Sequence, residues 1–298
     1  MPTPLEEYKA HEKRRLILSI VVTGLVMVVE IVGGIMSNSM ALLSDAGHMF
    51  THMFALGIAL AAIYIASRDP RSHRTFGLYR VEVLAALLNS LFLFAVTVGI
   101  VWESVVLLMH PAEVKAVEML AVAALGLVAN LASIYLLQHA AHGDMNIKSA
   151  FIHVIGDAAS SVGVVVGAIV IHYTGWNSID PILALGIALI IALWAVDMFR
   201  DAVNVLLETA PKGMDVDTLR AELQREFPEL GTIYDLHIWV ITTNMYMFSA
   251  HIALARRHVD TMDSLRDRIN TWLRERHEIE HTTIEFDIEN DHPADTAP

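Results

Sequence analysis

The chain contains no cysteine, and charged residues make up only 18% of its 298 residues. The absence of cysteine excludes disulfide bonds and thiolate metal ligands, so histidine and carboxylate side chains are the strong metal ligands that remain. Basic residues are also scarce, because 20 Lys and Arg stand against 33 Asp and Glu and give a net charge of -13. A phosphate-binding surface needs clustered Lys and Arg, so this balance argues against a nucleic-acid partner.

Hydrophobic residues, in contrast, make up 55% of the chain, and the mean hydropathy is +0.50. Both values favour a membrane protein. Six apolar stretches reach the length of about 20 residues that a helix needs to cross a bilayer: 15–37, 41–66, 81–109, 116–138, 149–172 and 179–207. No small-residue cleavage site follows the first stretch, so we interpret it as a retained span and not as a signal peptide.

Positive charge is concentrated on one side of these predicted spans. Basic residues precede the first span and occupy the second and fourth connections: Lys13, Arg14, Arg15, Arg68, Arg71, Arg74, Arg80 and Lys148. The other connections hold almost none, Lys115 being the exception. Positively charged connections stay in the cytoplasm, so both termini are predicted to be cytoplasmic. Short loops and the lack of organelle-targeting features favour a bacterial cytoplasmic membrane.

The composition changes after Pro211, where the long apolar runs end. Apolar side chains recur at helical spacing in 214–227 and 260–277, which predicts two amphipathic helices. Alternating polarity predicts three strands, the first two joined as a hairpin at Thr243-Asn244: 232–242, 245–254 and 282–288. Helix, hairpin, helix and strand describe a small α+β domain on the cytoplasmic side of the membrane.

Two short polar motifs interrupt the apolar runs, His48-x-x-x-His52 and His153-x-x-x-Asp157. Residues four apart lie on the same face of a helix, so each motif presents two metal-competent groups together. Ionisable groups are costly inside a bilayer and usually face an internal pathway. Imidazole and carboxylate suit zinc, cobalt and nickel, and four such ligands favour a tetrahedral ion. The motifs therefore indicate a membrane transporter for a divalent metal.

Other interpretations of single polar residues remain open at this stage. A lone histidine in an apolar span usually packs against a neighbouring helix and hydrogen-bonds to it, but two pairs together favour a functional site. Asp45, a turn before His48, is either a hydrogen-bond partner that fixes an imidazole tautomer or a helix-terminus residue. The remaining polar residues of the spans are interpreted as packing or pathway hydrogen-bonders: Glu30, Asn89, Glu103 and Asn130.

Four segments carry a family resemblance: Ser39–His48 (SMALLSDAGH), Phe76–Glu82 (FGLYRVE), His153–Asp157 and Asp235–Trp239 (DLHIW). With them the chain resembles the cation diffusion facilitator family, the proton-coupled exporters of zinc and other divalent metals, over nearly its whole length. The resemblance implies a Y-shaped homodimer in the lipid bilayer. It also implies an all-α, six-helix transmembrane domain followed by a C-terminal α+β cytoplasmic domain of ferredoxin-like, metallochaperone-like fold.

The expected domain organisation combines this resemblance with the pattern of apolar runs. We expect a cytoplasmic N-terminal tail, a six-span transport domain, a cytoplasmic domain for regulation and dimerisation, and a C-terminal tail. These are residues 1–14, 15–208, 209–290 and 291–298.

One position of the transport site departs from the family pattern. Zinc-type members carry aspartate where this chain has His52, so the inferred site consists of His48, His52, His153 and Asp157. The missing carboxylate removes a negative charge, and the added imidazole titrates near neutral pH. Zn²⁺ remains the first expected cargo, with Co²⁺, Ni²⁺, Cd²⁺ or Fe²⁺ as alternatives. Mn²⁺ is disfavoured because it prefers oxygen ligands.

The resemblance implies further metal ligands in the cytoplasmic domain: His237, His251, Glu285 and Asp287. The alternative is that the two histidines only pack and hydrogen-bond within the sheet or the dimer interface. His139, His142 and Asp144 resemble a short form of the histidine-rich loop of eukaryotic relatives, or they form an ordinary solvated loop. Asp69 and His73 alone offer too few ligands for another site between spans two and three.

The expected mechanism follows from the competition between metal and protons for the same ligands. Metal binding displaces protons from imidazole and carboxylate, so an inward proton gradient can drive metal outward, with His153 and Asp157 as the first candidates for the coupled protons. An intramembrane zinc enzyme is the rival from another class. Zinc hydrolases with paired histidines place Glu beside the first one as general base, whereas Met49 follows His48 here. A membrane-anchored metal sensor and a cation channel are further alternatives, and no enzymatic activity is expected.

Overall fold

The computed structural model describes the backbone of residues 4–66, 78–137, 145–242 and 245–288. It forms two compact units, Met1–Leu60 with Leu88–Phe199 and Ala61–Leu87 with Arg200–Pro298. Several expectations fall outside the described residues: the connections that hold Asp69, His73, His139, His142 and Asp144, the hairpin turn at Thr243-Asn244, and the tail from 291. The side chains of His52 and His153 also lie outside them.

Each predicted span corresponds to one long helix. The helices are α1 (Pro4–Ser37), α2 (Met40–Ala66), α3 (Arg80–Met109), α4 (Ala116–Leu137), α5 (Met145–Thr174) and α6 (Ile179–Leu206). Among the described side chains, four segments are long and apolar enough to cross a membrane: Arg80–Met109, Ala116–Tyr135, Val154–Thr174 and Ile179–Leu206. The described apolar part of α1, Val21–Ser37, is shorter. Four membrane-length helices are therefore established, and the count of six stays a prediction.

Helices α1, α4 and α5 pack closely through small residues. A Cβ atom added to Gly33 of α1 would lie 2.5 Å from Cγ2 of Val122 on α4, so this approach requires glycine. Ala123 of α4 and Ala168 of α5 are fully buried in the same cluster as Met119. Small side chains let helix backbones approach each other, which is how helices associate in a membrane without a hydrophobic driving force.

The outer faces of the long helices are apolar and exposed. The large exposed side chains include Val98, Trp102, Leu125, Val128, Leu189 and Leu193. Apolar faces of this extent need lipid or another apolar surface to cover them. The exposed faces therefore agree with the membrane-length helices.

The N-terminus of α2 is capped by a carboxylate from another helix. Asp180, at the start of α6, accepts hydrogen bonds from Ser39 Oγ at 2.6 Å, Met40 N at 2.6 Å and Ala41 N at 3.2 Å. A carboxylate at a helix N-terminus satisfies unpaired amides and interacts favourably with the helix dipole. Because α2 carries His48, this cap fixes the start of a helix that bears a predicted metal ligand.

The C-terminal elements are α7 (Val216–Glu226), β1 (Leu230–Thr242), β2 (Met245–Leu254), a 3₁₀ turn (Arg256–Thr261), α8 (Met262–His277) and β3 (His281–Ile288). The predicted helices, strands and their order are confirmed. The strands form one sheet in the order β1-β2-β3, with β1 antiparallel to β2 and β2 parallel to β3. Because parallel strands need a crossover connection, α8 lies between β2 and β3 in the chain.

The core of this C-terminal sheet is built by the apolar faces of α7 and α8. Leu223 of α7, together with Ile269 and Leu273 of α8, is fully buried in one cluster with Phe248 and Ile252 of β2. Helical spacing of apolar residues predicts both faces from the sequence. The two helices therefore cover one face of the central strand β2. This packing fixes the positions of the polar residues that β2 carries.

The start of α3 makes polar contacts within this second unit. Arg80 Nη2 lies 2.5 Å from Glu208 Oε1, just beyond the end of α6. Thr242 Oγ1, at the end of β1, donates to Glu82 Oε2 at 2.5 Å. The first turn of α3 is thus bonded to both the segment after α6 and the end of β1.

Candidate metal centres

The two predicted intramembrane motifs meet at His48 of α2 and Asp157 of α5. His48 Nε2 lies 3.6 Å from Asp157 Oδ1. The residues are buried, with 6% and 1% of their surfaces exposed. Ligand atoms of a tetrahedral zinc ion, each about 2.0–2.2 Å from the metal, lie about 3.3–3.5 Å from one another. The observed separation suits two ligands of one ion.

His52 and His153 are placed by the helices that carry them. His52 lies one turn after His48 on α2, and His153 lies one turn before Asp157 on α5. The side chains of both histidines lie outside the described part of the structure. One ligand from each motif is therefore brought together, and the complete quartet stays a prediction.

Asp45 joins α2 to α5 beside this pair. Its Oδ1 accepts from Ser160 Oγ at 2.7 Å, and its Oδ2 accepts from Ser161 Oγ at 3.4 Å. Both hydroxyls also lie within hydrogen-bond distance of the Asp157 carbonyl, at 2.8 and 2.9 Å. The helix-terminus interpretation of Asp45 is wrong, since α2 begins at Met40. Its hydrogen bonds hold the turn of α5 that begins at Asp157. We refer to Asp45, Ser160 and Ser161 as the serine clasp.

An aromatic ring from α6 packs against the histidine of this pair. The ring centroids of Trp194 and His48 are 5.1 Å apart, and their planes meet at 41°. The backbone carbonyl of His48 accepts a hydrogen bond from Thr51 Oγ1 at 2.7 Å. A tilted aromatic contact of this kind restricts the orientation of the imidazole. The sequence reveals no role for Trp194, because tryptophan in an apolar helix is ordinary.

The other polar residues of the helices differ in their environment. Asn130 Nδ2 donates to Ser161 Oγ at 3.2 Å, and Asn89 Nδ2 donates to Met198 Sδ at 3.3 Å, as the hydrogen-bonding interpretation predicts. Glu103 is exposed on α3. Glu30 is only 1% exposed, and neither carboxylate oxygen has a hydrogen-bond partner among the described residues. The interpretation therefore holds for the two asparagines and stays a prediction for Glu103 and Glu30.

A second group of potential ligands lies on the C-terminal sheet. His251 of β2 is in parallel register with Glu285 of β3, and Asp287 lies two residues further along β3. His251 Nδ1 is 3.2 Å from Asp287 Oδ2, and His251 Nε2 is 3.8 Å from Glu285 Oε2. One ligand atom from each of the three residues lies within 4.8 Å of the others. The sheet thus brings together three of the four predicted residues, which we call the sheet cluster.

The fourth predicted residue, His237, lies beside this cluster. The β1–β2 register places Tyr234 opposite His251 and His237 opposite Ser249, with an irregularity between Tyr234 and His237. Asp235 lies in this irregularity with a φ of 48°. Its carboxylate is 2.8 Å from His237 Nε2 and 3.8 Å from His251 Nε2. Asp235 therefore connects His237 to the sheet cluster, a role that the sequence does not indicate.

Tyr234 adds a hydrogen bond to the same cluster. Its hydroxyl donates to Asp287 Oδ2, the oxygen that also faces His251 Nδ1. This hydrogen bond, together with partial burial and the neighbouring carboxylates, raises the pKa of Tyr234 to about 12. The phenol is therefore neutral near pH 7, and it orients one oxygen of Asp287. The carboxylates of Asp235, Glu285 and Asp287 lie around the imidazole of His251, so this surface attracts a dication.

Comparison with protein families identifies both parts of the chain. Residues 16–207 match the model of the cation efflux transmembrane domain, and residues 211–289 match that of the cation efflux protein cytoplasmic domain. The two matched segments cover nearly all of the described helices and strands. They meet close to the point at which the composition changes.

Curated relatives are similar over nearly the full length of the chain. A zinc transporter, ZitB of Escherichia coli, is 38% identical over 96% of this chain and 90% of its own. The metal cation efflux system protein CzcD of Cupriavidus metallidurans is 36% identical over 98% of this chain and 92% of its own. A cadmium, cobalt and zinc/H⁺-K⁺ antiporter of Bacillus subtilis is 32% identical over 92% and 87%.

Proposed function

The chain belongs to the cation efflux family, and on that premise we propose that it exports divalent metal ions from the cytoplasm in exchange for protons. Zinc is the first expected cargo, because relatives are named as a zinc transporter and as a cadmium, cobalt and zinc antiporter. The observation that carries the proposal is the buried pair of His48 and Asp157, held 3.6 Å apart on different helices. The protein acts as a transporter and not as an enzyme.

The transport site consists of His48 and Asp157 with His52 and His153. The serine clasp supports this proposal because it holds Asp157 and α2 together at the level of the ligands. Groups that orient metal ligands through hydrogen bonds are a regular part of metal sites. Three imidazoles and one carboxylate suit Zn²⁺, Co²⁺ and Ni²⁺, and Cd²⁺ or Fe²⁺ remain further candidates.

Proton exchange follows from the burial of Asp157. A carboxylate buried in an apolar environment is stable only when it is neutralised, either by a proton or by a cation. Zinc binding between His48 and Asp157 therefore replaces protons, and protons arriving from outside promote zinc release. In this way an inward proton gradient drives the metal out of the cell.

The architecture we propose has six membrane spans with both termini in the cytoplasm of a bacterial cell. The domain limits are those expected from the sequence, 15–208 for transport and 209–290 for the cytoplasmic domain. The sheet order and the β2–α8–β3 crossover support a ferredoxin-like fold for the latter. A homodimer is supported by the match to a family model of a dimerising cytoplasmic domain.

A second metal site in the cytoplasmic domain would regulate transport. The sheet cluster supplies His251, Glu285 and Asp287, and His237 approaches it through Asp235. Its position on the surface suits reversible binding of cytoplasmic zinc. Binding there would reduce repulsion among the carboxylates and favour closer association of the two cytoplasmic domains.

The first test is zinc uptake into proteoliposomes under an imposed pH gradient, comparing the wild-type protein with Asp157→Ala. We expect gradient-driven uptake in the wild type and none in the variant. Glu103→Ala is the matched control, because Glu103 is an acidic residue of α3 that lies on its exposed surface. Unchanged uptake in Asp157→Ala would place the transport site elsewhere. Wild-type uptake at a rate independent of the pH gradient would refute proton exchange.

A further inference from the structure

Glu30 is a buried acidic residue that the proposed transport site does not use. It lies on α1 with 1% of its surface exposed. Its carboxylate faces Gly126 of α4, where an added Cβ atom would lie 2.5 Å from Oε1. Glycine at 126 therefore creates the space that the carboxylate occupies. Neither oxygen has a hydrogen-bond partner among the described residues.

Polar groups also line α4 between the glycine that faces Glu30 and the transport site. Asn130 lies one turn beyond Gly126, on the same face of α4. Its side-chain amide donates to Ser161 Oγ at 3.2 Å, and Ser161 lies within hydrogen-bond distance of both Asp45 and the Asp157 carbonyl. The face of α4 that meets Glu30 is thus bonded to the serine clasp one turn further along.

The titratable groups that influence Glu30 from the neighbouring helices are acidic: Asp45 of α2 and Asp157 of α5. Helix α4 contributes Gly126 and the neutral Asn130. No basic group faces Glu30 from the described parts of these helices. A carboxylate buried without a partner is costly to ionise, so the neutral acid is the stable form of Glu30 while no cation is near.

Metal binding favours the ionised form of Glu30 instead. A dication held by His48 and Asp157 is the largest local charge of the site, and in a low-dielectric environment its field extends to neighbouring carboxyl groups. The field stabilises the ionised form of Glu30 and releases its proton. When the metal leaves, the buried carboxylate again lacks a cation, and a proton returns to Glu30.

We propose that Glu30 is a proton-carrying residue of the exchange reaction, ionised when the metal is bound and protonated when it is not. The proposal rests on the proposed function, since it requires metal at His48 and Asp157. One proton leaves the carboxyl group of Glu30 as metal binds, and one proton returns to it as metal is released.

The test counts the protons released when zinc binds to the purified full-length protein in weakly buffered detergent solution. The wild type, Glu30→Gln and Glu30→Asp are compared, each with His251→Ala as background so that zinc at the sheet cluster does not add to the count. Glutamine keeps the shape of the side chain but has no proton to release, so we expect zinc binding to persist with about one proton fewer per zinc. Zinc affinity should also depend less on pH in this variant. Glu30→Asp keeps the carboxyl group and should retain the wild-type proton count.

The outcomes separate this inference from the proposed function. If the wild type releases no protons on binding zinc, the proposed exchange itself fails. If the wild type releases protons and a folded Glu30→Gln variant releases the same number, Glu30 is not a carrier. An infrared difference spectrum of the wild type decides the question even when Glu30→Gln does not fold. Zinc binding should remove the absorption band of a protonated carboxyl group, and this band should lie at a different frequency in Glu30→Asp. A band at the same frequency in both proteins would overturn the inference.

Discussion

The Asp180 carboxylate at the start of α6 accepts a hydrogen bond from the amide of Met40 at 2.6 Å, so one helix caps the N-terminus of another. The same α6 carries Trp194, whose ring packs on His48. Helix α2 is therefore held by α6 at its first turn and again beside a predicted metal ligand. This relationship ties the position of the proposed transport site to the start of α6.

Replacement of Asp180 with alanine is expected to destabilise the membrane domain by about 3 kcal/mol. The substitution leaves Ser39 Oγ and two backbone amides without their buried acceptor. The measurement is thermal unfolding of the purified protein in detergent, with zinc uptake recorded in parallel. Asp217→Ala, on the exposed face of α7, serves as the control and should leave the unfolding temperature unchanged. A wild-type unfolding temperature in Asp180→Ala would contradict the capping role.

Replacement of Asp45 with asparagine is expected to weaken zinc binding at the transport site by about tenfold. Asparagine has a single side-chain oxygen, so it cannot accept hydrogen bonds from Ser160 and Ser161 on two separate oxygens as Asp45 does. The turn that begins at Asp157 is therefore held less firmly. Calorimetric titration with zinc measures the affinity. The double variant Ser160→Ala, Ser161→Ala removes the clasp from the other side and should show a loss of similar size. Unaltered affinity in both variants would exclude the clasp as a support of the site.

Replacement of His52 with aspartate is expected to strengthen zinc binding by about tenfold, because a second carboxylate increases the attraction for a dication. Imidazole competes for protons between about pH 6 and pH 7.5, whereas aspartate is already ionised there. Zinc affinity should therefore change less between these two pH values in the variant. The measurement is zinc titration at both. Equal pH dependence in the variant and the wild type would show that His52 does not bind the cargo.

Replacement of His251 with alanine is expected to remove about one zinc ion per chain from the cytoplasmic domain. His251 is the imidazole of the sheet cluster, and without it only carboxylates remain. Equilibrium dialysis measures the bound zinc, with Asp157→Ala as background so that the transport site does not contribute. His281→Ala replaces an exposed histidine of the same strand as Glu285 and should have no effect. The same stoichiometry in both histidine variants would refute the regulatory site.

The phenol of Tyr234 is expected to ionise near pH 12 and not near its usual value of 10.0. Its hydrogen bond to Asp287 stabilises the neutral form in the folded protein, so the pKa is raised relative to the unfolded chain. The resulting stabilisation is complete below about pH 10 and is lost as the pH rises to about 12. The ultraviolet absorbance difference between wild type and Tyr234→Phe follows this one phenol. A difference titrating near pH 10 would mean that the hydrogen bond to Asp287 is absent in solution.

Patterns of apolar residues predict most of the fold. Runs of membrane length predict the long helices, and the change after Pro211 predicts a separate set of helices and strands. Spacing of four identifies Leu223, Ile269 and Leu273 as core residues, because helix geometry turns such residues to one side. Ionisable residues inside apolar runs are conspicuous, and two of those that the sequence selects, His48 and Asp157, lie side by side in the structure.

The contacts that the sequence did not predict depend on distances between helices or on local irregularity. Ser160 and Ser161 look like ordinary small residues until α2 and α5 are placed side by side, when they meet Asp45. Asp235 approaches the sheet cluster through an irregularity in the β1–β2 register that follows Tyr234. Alternation along a strand cannot predict such an irregularity, because one extra residue reverses the faces of those that follow.

The serine clasp limits how the membrane domain can open. Asp45 on α2 and both serines on α5 are bonded at the same level as the His48–Asp157 pair. Any hinge motion that pulled these helices apart at this level would break the clasp and expose Asp157 without a cation. In the proposed mechanism, α2 and α5 therefore move together as one rigid body. The other helices would then move relative to this body to open the site to either side of the membrane, while the geometry of the ligands is kept.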